Sequence, residues 1–401
     1  MTENKVVTIL CLASYYKGTA FLRKAKELGC HVILLAKDTL QNEDWPDESI
    51  DERFFMPDLR RRPDIIFAVS YLARDRQIDR IVPLDDYDVE TAASLREHLR
   101  LPGIGESLVR HFRDKLAMRM QAASAGIAVP AFVSTFNYDR IREFMDRVPP
   151  PWVLKPRSEA GAMGIKKIAD SEQLWRWLDK LGDEQSFFLL EQYVPGDVCH
   201  VDGIVSEKKV VFAVAHRYGA PPMNVAHEGG VFVTRTLPHA GEEAQELLAL
   251  NERLMEALGM VRGATHTEFI REQDGNLYFL ETAARVGGAN IDQVVEAATG
   301  VNLWQEWARI EAAHARGETY QPPRARKGYA GLLLCLAQQE WPDLSQFDDP
   351  GVVWRLHKRH HAGLVVAADN AERVQTLLDS CAVRFARDFL AVAPPLDKPP
   401  A

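Results

Sequence analysis

Residues 1–100 alternate short apolar runs with helical patterns, and this alternation restricts the fold more than any other feature of the sequence. Apolar runs at residues 6–13 and 31–36 flank a helical pattern at residues 19–28, which Gly29 ends. Further strand and helix patterns follow at residues 53–57, 63–77, 80–85 and 89–99. Strands that alternate with helices predict an α/β domain with a parallel sheet covered on both faces.

The loop after the first strand lacks a dinucleotide-binding fingerprint. Such a fingerprint needs three glycines, for the turn, for the approach of the pyrophosphate and for helix packing. Here only Gly18 precedes the helix. We therefore expect neither NAD nor FAD at this loop.

Charge and cysteine usage limit the partners and the compartment. The chain has 48 basic and 57 acidic side chains, so it has no overall positive field to hold nucleic acid or an anionic membrane. Its five cysteines form no CxxC pair, which favours free thiols in a reducing compartment. The N-terminal segment lacks a basic region and any apolar stretch of about 18 residues. We expect a cytoplasmic protein with small-molecule substrates, without nucleic-acid or membrane partners, and we leave a homodimer open.

The character of the chain changes after residue 114. A helical pattern from Lys115 closes at Gly126, and hairpin patterns follow the triple proline at residues 149–151. Turns are predicted at residues 206–208 and at the Asp-Gly pair of residues 274–275. Antiparallel hairpins with intervening helices predict an α+β region. We therefore predict the domains 1–114, 115–320 (small lobe about 115–195, large lobe about 196–320) and a small C-terminal α+β region, 321–401, with a loose tail.

The segment "WVLKPRSEAGAMGIKKI" is the most informative for chemistry. A strand delivers Lys155, and a small-residue loop follows at residues 158–164. Phosphate oxygens need close backbone N–H groups and a fixed cation, and such a loop beside a strand lysine supplies both. Taken alone, a flexible hairpin with a surface lysine explains the segment as well.

Three further features strengthen the nucleotide interpretation. An apolar strand ends at Glu191 before a Pro-Gly turn, where backbone groups could meet an adenine edge. Glu268 and Glu281 lie on the two strands of one predicted hairpin, where pairing could place both on one face. Two close carboxylates need a cation, and oxygen ligands beside phosphates suit Mg²⁺. The alternative is a pair of exposed strand-end glutamates. Arg285 could hold a phosphate or carboxylate.

In this order, the segments resemble the ATP-grasp superfamily, most closely its carboxylate-amine ligases such as amino-acid ligases, D-alanine ligases and biotin carboxylase. The resemblance covers nearly the whole chain, from "VPLDDYDVETAASL" through "VLKP", "EAGAMGI" and "EQYVPG" to "HTEFI" and "LYFLETAARVGG". It implies a pre-ATP-grasp α/β domain followed by an α+β ATP-grasp fold, with ATP and Mg²⁺, or Mn²⁺ in its place, as cofactors.

The resemblance also implies roles for individual residues. Glu268 and Glu281 become metal ligands, and Arg285 and Lys155 become catalytic residues. The implied nucleotide-binding set is Lys115, Lys155, Ser158, Gly161, Ala162, Met163, Gly164, Glu191, Gln192, Val194 and Asp197. Two positions depart from the family pattern: Ala283 stands where an asparagine ligand is usual, and Val198 where a ribose carboxylate is usual, which leaves Asp197 as its substitute.

Candidate substrate contacts come from two segments. His266 shares a strand face with Glu268, and a hydrogen-bonded structural histidine is the alternative. The Gly-rich segment "NVAHEGGVFVTR" contributes His227, Glu228 and Arg235, and Gly288 completes the set.

The function expected from the resemblance is an ATP-dependent ligase. It would activate a carboxylate, with an amino-acid-like acid as the expected substrate, as an acyl phosphate and join it to an amine. The products would be an amide, ADP and phosphate. The alternatives are a ligase of the same fold with a non-amine nucleophile, and a nucleotide-binding protein without ligase turnover.

Overall fold

The computed structural model describes residues 6–394, and its N-terminal part is a parallel sheet in the strand order β3-β2-β1-β4. The strands are β1 (Thr8–Ala13), β2 (His31–Lys37), β3 (Glu52–Met56) and β4 (Arg80–Pro83). The helices are α1 (Thr19–Glu27), α2 (Arg62–Leu72), α3 (Val89–Leu99) and α4 (Glu106–Val109). The predicted parallel sheet is confirmed, and α3 has its predicted bounds.

Both faces of this sheet are buried, because successive side chains of a strand point to opposite faces. Along β1, Ile9 and Cys11 pack with α1 and with a later helix (Leu303–Arg316). Leu10 and Leu12 pack on the other face, with α2 and α3. This double burial explains why the strand reads as a continuous apolar run.

A second sheet is antiparallel, with the strand order β5-β8-β6-β7. Its strands are β5 (Phe132–Ser134), β6 (Trp152–Pro156), β7 (Lys166–Ile168) and β8 (Phe188–Gln192). The helices here are α5 (Lys115–Ser124), α6 (Tyr138–Arg147) and α7 (Ser171–Leu181). Asp114 caps α5 by accepting from two backbone N–H groups and also pairs with Arg157, which follows β6. These bonds hold the start of α5, and so Lys115, beside β6.

In the described part of the chain, the remaining strands form one large antiparallel sheet in the order β13-β12-β9-β10-β11-β14-β16-β15. They are β9 (Asp197–Ser206), β10 (Lys209–Tyr218), β11 (Phe232–Thr236), β12 (Gly263–Arg271), β13 (Leu277–Ala283), β14 (Tyr329–Leu336), β15 (Val352–Arg355) and β16 (His361–Ala368). The helices are α8 (Pro222–Glu228), α9 (Glu242–Leu258), α10 (Ile291–Thr299), α11 (Leu303–Arg316) and α12 (Ala371–Asp388). Both predicted hairpins, β9–β10 and β12–β13, are confirmed.

The C-terminal strands continue the large sheet. β14 pairs with β11 on one side, where Leu334 lies opposite Phe232, and with β16 on the other. The segment between α11 and β14 therefore leads into a strand of the large sheet. The domain boundaries after residues 114 and 320 stay predictions.

Alternate residues of β9 face two different cores. Cys199 and Val201 pack beneath α9, whereas Val198 and Ile204 share the core that holds α1 and α11. Polar residues at 200 and 202 lie on this second face, which also carries the cavity described below.

The sequence also led to predictions for the cysteines, for membrane-spanning segments and for the C-terminal tail. The cysteines are free, as predicted, and all five are buried. No helix among residues 6–394 has both the length and the apolar character needed to cross a membrane. The predicted loose tail falls mainly on residues 395–401, outside the described residues.

Candidate functional site

A cavity of about 480 Å³ lies where the small antiparallel sheet faces the large one. Its wall takes charged side chains from α5, β6, β8, β12 and β13, namely Lys115, Lys155, Glu191, Glu268 and Glu281. A concave site with a few converging polar groups is the usual form of a small-molecule site. The fold therefore brings together charged residues that were predicted as site residues from distant segments of the sequence.

Lys155 and Glu191 form a buried ion pair on neighbouring strands β6 and β8. Arg119 of α5 donates to the same carboxylate at 2.8 Å. Lys155 is only 3% exposed, which excludes the surface-lysine alternative. Burial lowers the pKa of Lys155 to about 8, against the opposing effect of Glu191. Two cations against one carboxylate leave an excess positive charge, which an anion in the cavity would balance.

The strand end after Glu191 differs from the predicted adenine hinge in one respect. All four hinge residues, 191–194, line the cavity, but the carboxylate of Glu191 is held in the ion-pair cluster with Arg119 and Lys155. The N–H of Gln192 donates to the carbonyl of residue 131 at 2.8 Å, and that of Tyr193 to the carbonyl of residue 151 at 3.2 Å. An adenine edge at this hinge would have to use other backbone groups than these two.

Lys115 links α5 to β13 through an ion pair with Glu281. Its Nζ lies 2.9 Å from Glu281 Oε2 and donates to the carbonyl oxygen of Glu159 at 2.6 Å. Burial alone would raise the pKa of Glu281, but Lys115 and Lys155 outweigh it and lower that pKa to about 2. Glu281 is therefore ionised at neutral pH.

Glu268 and Glu281 pair directly across β12 and β13, because the register shifts by one residue between Glu268 and Phe269. Tyr218 donates its hydroxyl to Glu268 Oε1 at 2.8 Å, and His266 Nε2 lies 3.5 Å from the same oxygen. The side chains of Glu268 and Glu281 are 12% and 31% exposed, so the exposed-glutamate alternative is wrong. Two neighbouring carboxylates repel each other, and the basic groups beside them offset that repulsion.

A buried hydrogen-bond network lies behind Glu268. Asp202 lies 2.9 Å from His266 Nδ1 and 2.7 Å from His200 Nδ1, through different carboxylate oxygens. Thr234 Oγ1 lies 2.6 Å from the other nitrogen of His200. Burial lowers the pKa of His266, but Asp202 outweighs it and raises that pKa to about 9. His266 is thus a hydrogen-bonded histidine, and its ring also lines the cavity.

Polar side chains form a row across the sheet. The residues that pair in register are Thr236, His216, His200, Glu268 and Glu281. His216 stacks on His200 with ring centroids 4.8 Å apart, and neither of its ring nitrogens has a hydrogen-bond partner among residues 6–394. Burial, with His200 adding to the effect, lowers the pKa of His216 to about 3. His216 is therefore a neutral imidazole inside the sheet.

Replacing His216 by Phe is expected to make the protein less sensitive to acid. An unfolded imidazole has a pKa of about 6.5, so between about pH 6.5 and about pH 3 the unfolded state binds a proton that the folded state does not. Stability therefore falls as pH decreases through this window, and at about pH 5 this group accounts for about 2 kcal/mol. Chemical unfolding near neutral pH and near pH 5 measures the loss, which should shrink by that amount in the variant. An equal loss in both proteins would show that folded His216 already takes up its proton.

Arg285 follows β13 and meets an acidic residue of the N-terminal domain. Its Nε lies 3.5 Å from Asp86 Oδ1, and Asp86 also accepts a bond from Arg113. Burial would raise the pKa of Asp86, but Arg113 and Arg285 hold it below its usual value. Both Asp86 and Arg285 line the cavity. Asp86 was not among the site residues predicted from the sequence. The segment "LDDYD" after β4 could have indicated it, because it puts acids at the carboxyl edge of a parallel sheet, where ligands usually bind.

The loop at residues 158–164 is held at its start. Arg113 donates to the carbonyl of Ser158 at 2.5 Å, and Tyr87 donates to the carboxylate of Glu159 at 3.0 Å. Further along, Gly161, Ala162 and Gly164 have φ values of 67°, 60° and 68°. An alanine in this left-handed region is strained, so this part of the backbone is costly to maintain.

The second half of this loop is expected to be mobile without nucleotide and ordered with it. Residues 160–164 should therefore exchange their amide hydrogens faster than residues 158–159 in the free protein. ATP with Mg²⁺ should slow exchange at residues 160–164, since loops that cover phosphates close on binding. Hydrogen-exchange mass spectrometry compares the two states. Equal protection in both would indicate a fixed hairpin and contradict loop closure.

Several predicted site residues lie away from the cavity. Arg235 lies on the face of β11 opposite Thr234 and is not part of the cavity wall. The predicted substrate contact of Arg235 is therefore not supported. Asp197 has a 62% exposed side chain that lies 3.2 Å from Arg217, which leaves the ribose role without support. The other predicted residues outside the cavity wall are Ser158, Met163, Gly164, His227 and Glu228. Gly161, Ala162 and Gly288 do line the wall.

Two family models match this chain, "ATP-grasp N-terminal domain" over residues 22–103 and "ATP-grasp domain" over residues 148–293. Together they cover more than half of the sequence, and the second contains both paired glutamates and Lys155. The chain belongs to the ATP-grasp superfamily, as the resemblance predicted.

Individual relatives agree with this family. The L-arginine-specific L-amino acid ligase of Bacillus subtilis is 24% identical over 261 residues, which are 63% of this chain and 62% of that protein. The crystal structure of L-amino acid ligase from Bacillus licheniformis has a TM-score of 0.76 at 17% identity and covers 98% of this chain and 99% of its own. The ADP complex of N5-carboxyaminoimidazole ribonucleotide synthetase has a TM-score of 0.72 at 16% identity, over 96% of this chain and 99% of its own. At these identities the structural likeness establishes the fold. The chain spans about three fifths of the length of the sequence relatives it matches.

Proposed function

We propose that this protein is an ATP-dependent ligase that joins a carboxylic acid to an amine. The γ-phosphoryl group of ATP passes to a carboxylate oxygen, which gives an acyl phosphate and ADP. The amine then attacks the acyl carbon, and phosphate leaves with the electron pair of the broken C–O bond. The observation that carries this proposal is the convergence of Lys115, Lys155, Glu268, Glu281 and Arg285 on one cavity. The similarity to L-amino acid ligases favours amino-acid-like substrates.

We place ATP between the small and the large antiparallel sheets, which face each other across the cavity. The net positive charge of the cluster of Arg119, Lys155 and Glu191 suits a phosphate group, and Lys115 adds a second ammonium. The loop at residues 160–162 and the hinge at residues 192–194 line the same space. We assign phosphate contacts to the two lysines and the loop, and base contacts to the hinge.

A divalent cation fits the donor set of Glu268 and Glu281. Both offer carboxylate oxygens on one face, and Glu281 is ionised with a pKa of about 2. Mg²⁺ and Mn²⁺ prefer such hard oxygen ligands, and with ATP they neutralise charge on the phosphate oxygens. The ammonium of Lys115 lies against Glu281 and supplies part of the positive charge that the carboxylates require. Ala283 contributes no ligand, so phosphate and water oxygens have to complete the coordination.

Arg285 and Lys155 carry the proposed catalytic roles. The guanidinium of Arg285 lies 3.5 Å from Asp86 through Nε and donates from Nη1 to the carbonyl of Val286 at 2.9 Å, and we assign its remaining N–H groups to the transferring phosphoryl group. Fixed cations in a water-poor cleft stabilise the charge that develops during transfer. The loop at residues 160–164 would exclude water, which otherwise hydrolyses the acyl phosphate.

A nucleotide-binding protein without ligase turnover is the second candidate function. The observation that favours it is Ala283, which lines the cavity where the family pattern has a metal-binding asparagine. A ligase with a thiol or another non-amine nucleophile is a variant of the first candidate, because its activation step is the same.

Substrate-dependent release of ADP distinguishes these functions. The intact protein is incubated with ATP, Mg²⁺ and pairs of amino acids or other carboxylates, and ADP and phosphate are measured. We expect release that requires an acid, and mass spectrometry should then find an amide product. ATP binding without acid-dependent ADP release would contradict the ligase and support the second candidate.

A further inference from the structure

We propose that the acid activated in this cavity carries an apolar side chain, which binds against Tyr218, Phe232 and Leu334. This inference rests on the proposed ligase function and adds the substrate class. Its starting point is the part of the cavity wall that lies beyond the paired glutamates.

The three residues form one continuous wall across the large sheet. Tyr218 reaches Glu268 through its hydroxyl at 2.8 Å, so the wall begins at the proposed site of phosphoryl transfer. The ring of Phe232 lies 5.3 Å from that of Tyr218, measured between centroids. Leu334 lies opposite Phe232 in the next strand. An acid with its carboxylate at Glu268 and Arg285 can therefore extend its side chain along this wall.

The length of the wall follows from the strand order. β12, which carries Glu268, is separated from β14 by β9, β10 and β11. Neighbouring strands lie about 4.8 Å apart, so the sheet extends about 19 Å from β12 to β14. This is enough for a bulky side chain, and a substrate as small as alanine would leave much of the wall uncovered.

The wall itself offers no counter-charge to a cationic side chain, because Tyr218, Phe232 and Leu334 are all uncharged. The carboxylates elsewhere in the cavity are already engaged: Asp86, Glu191 and Glu281 pair with arginine or lysine side chains, Glu268 accepts from Tyr218 and lies 3.5 Å from His266, and Glu159 accepts from Tyr87. The segment around α8, which follows β10, and the start of α10 add uncharged residues to the cavity wall: Pro221, Met223, Asn224, Val225, Ala289 and Ile291. A guanidinium or ammonium here would lose its water without gaining a counter-charge.

The tyrosine presents its ring rather than its hydroxyl to the substrate. Its hydroxyl donates to Glu268 Oε1 at 2.8 Å and is therefore engaged. The wall therefore offers two aromatic rings and a leucine. Such a surface binds aliphatic, thioether or aromatic groups in preference to polar ones.

The test compares acids of matched size on the wild-type protein. Leucine, methionine and phenylalanine are compared with arginine, lysine and glutamate, each as the acid with one fixed amine, and kcat/KM for ADP formation is measured. We expect the apolar acids to exceed the charged ones by at least about tenfold, which corresponds to about 1.4 kcal/mol. A charged acid as the best substrate would overturn the inference while leaving the ligase proposal intact.

Binding of the same acids, measured by calorimetry with a non-hydrolysable ATP analogue, separates this inference from the ligase proposal. A preference for apolar acids without turnover would support the apolar wall and contradict the ligase. A preference for charged acids in binding would overturn the inference whether or not turnover occurs.

A pair of variants on one strand locates the preference. Leu334→Glu should lower kcat/KM for leucine at least about tenfold and raise it for arginine, because it adds the missing counter-charge. Leu336→Glu on the same strand is the matched control, since Leu336 is 40% exposed and lies outside the cavity wall. Phe232→Ala provides a second variant if the glutamate prevents folding, and it should shift the preference towards larger apolar acids. An unchanged ranking in a folded Leu334 or Phe232 variant would overturn the proposal.

Discussion

Replacing Glu281 by Gln is expected to abolish ADP formation while the protein stays folded. The carboxylate has a pKa of about 2 and lies opposite Glu268, where it completes the proposed cation site. A neutral amide cannot balance the charge of a hard cation and binds it poorly. The fold should tolerate the change, because Lys115 keeps its bond to the carbonyl of Glu159 at 2.6 Å. Turnover should fall by at least about 1,000-fold, or about 4 kcal/mol of transition-state stabilisation.

Ala283→Asn on the same strand is the matched control. It restores the oxygen ligand that is usual in the family, and we expect it to keep activity and to retain or raise the affinity for metal. Binding of Mn²⁺ to both variants, followed by electron paramagnetic resonance in the presence of ATP, gives a measurement that is independent of turnover. Normal turnover of the Glu281 variant at limiting Mg²⁺ would show that these strands do not hold the metal.

Replacing Lys155 by Met is expected to weaken ATP binding strongly without destabilising the protein. Removing a charge-assisted contact to phosphate costs about 1.5 to 3 kcal/mol, or about 10- to 150-fold in affinity. The buried cluster of Arg119, Lys155 and Glu191 has one cation in excess, so the variant keeps a balanced Arg119–Glu191 pair. Calorimetric titration with ATP and thermal unfolding without nucleotide measure the two effects.

Glu191→Gln tests the same cluster by neutralising its carboxylate instead of removing a cation. It removes the carboxylate that pairs directly with Lys155 and with Arg119, which is fully buried, and loss of a buried charge partner typically costs about 3 to 5 kcal/mol. We therefore expect this variant to be far less stable than Lys155→Met. Equal stability of the two variants would show that Glu191 is not the main counter-charge of the cluster. Unchanged ATP affinity in Lys155→Met would remove Lys155 from the site.

Local patterns predicted much of the fold. Helix α3 has its predicted bounds because an apolar stripe begins after a run of acids and ends with its last turn. The β12–β13 hairpin follows from alternation and an Asp-Gly turn. The turn alone would place Glu268 opposite Leu280, and a register shift between Glu268 and Phe269 brings Glu281 there instead. Both predictions depend on residues that are close in the sequence.

Side-chain partners that come from distant segments could not be predicted in the same way. The bond between Asp202 and His266 depends on the register between β9 and β12, which no local pattern specifies. The same holds for Asp86, which reaches Arg285 only because the N-terminal sheet packs against the large sheet. The face of Arg235 depends on the register of β11 with β10, and a shift of one residue would reverse it.

The position of β14 has a consequence for synthesis of the chain. β11 pairs with β14, which begins at Tyr329 and carries Leu334 of the cavity wall. A nascent chain that ends before Tyr329 contains the other strands around the cavity but leaves β11 as an open sheet edge. Unpaired backbone groups on such an edge can recruit another chain. Translation at about 5 to 20 residues per second needs roughly 3 to 13 seconds to add residues 329–394. During this interval the newly made protein is most exposed to aggregation, and slower translation of the last strands would lengthen it.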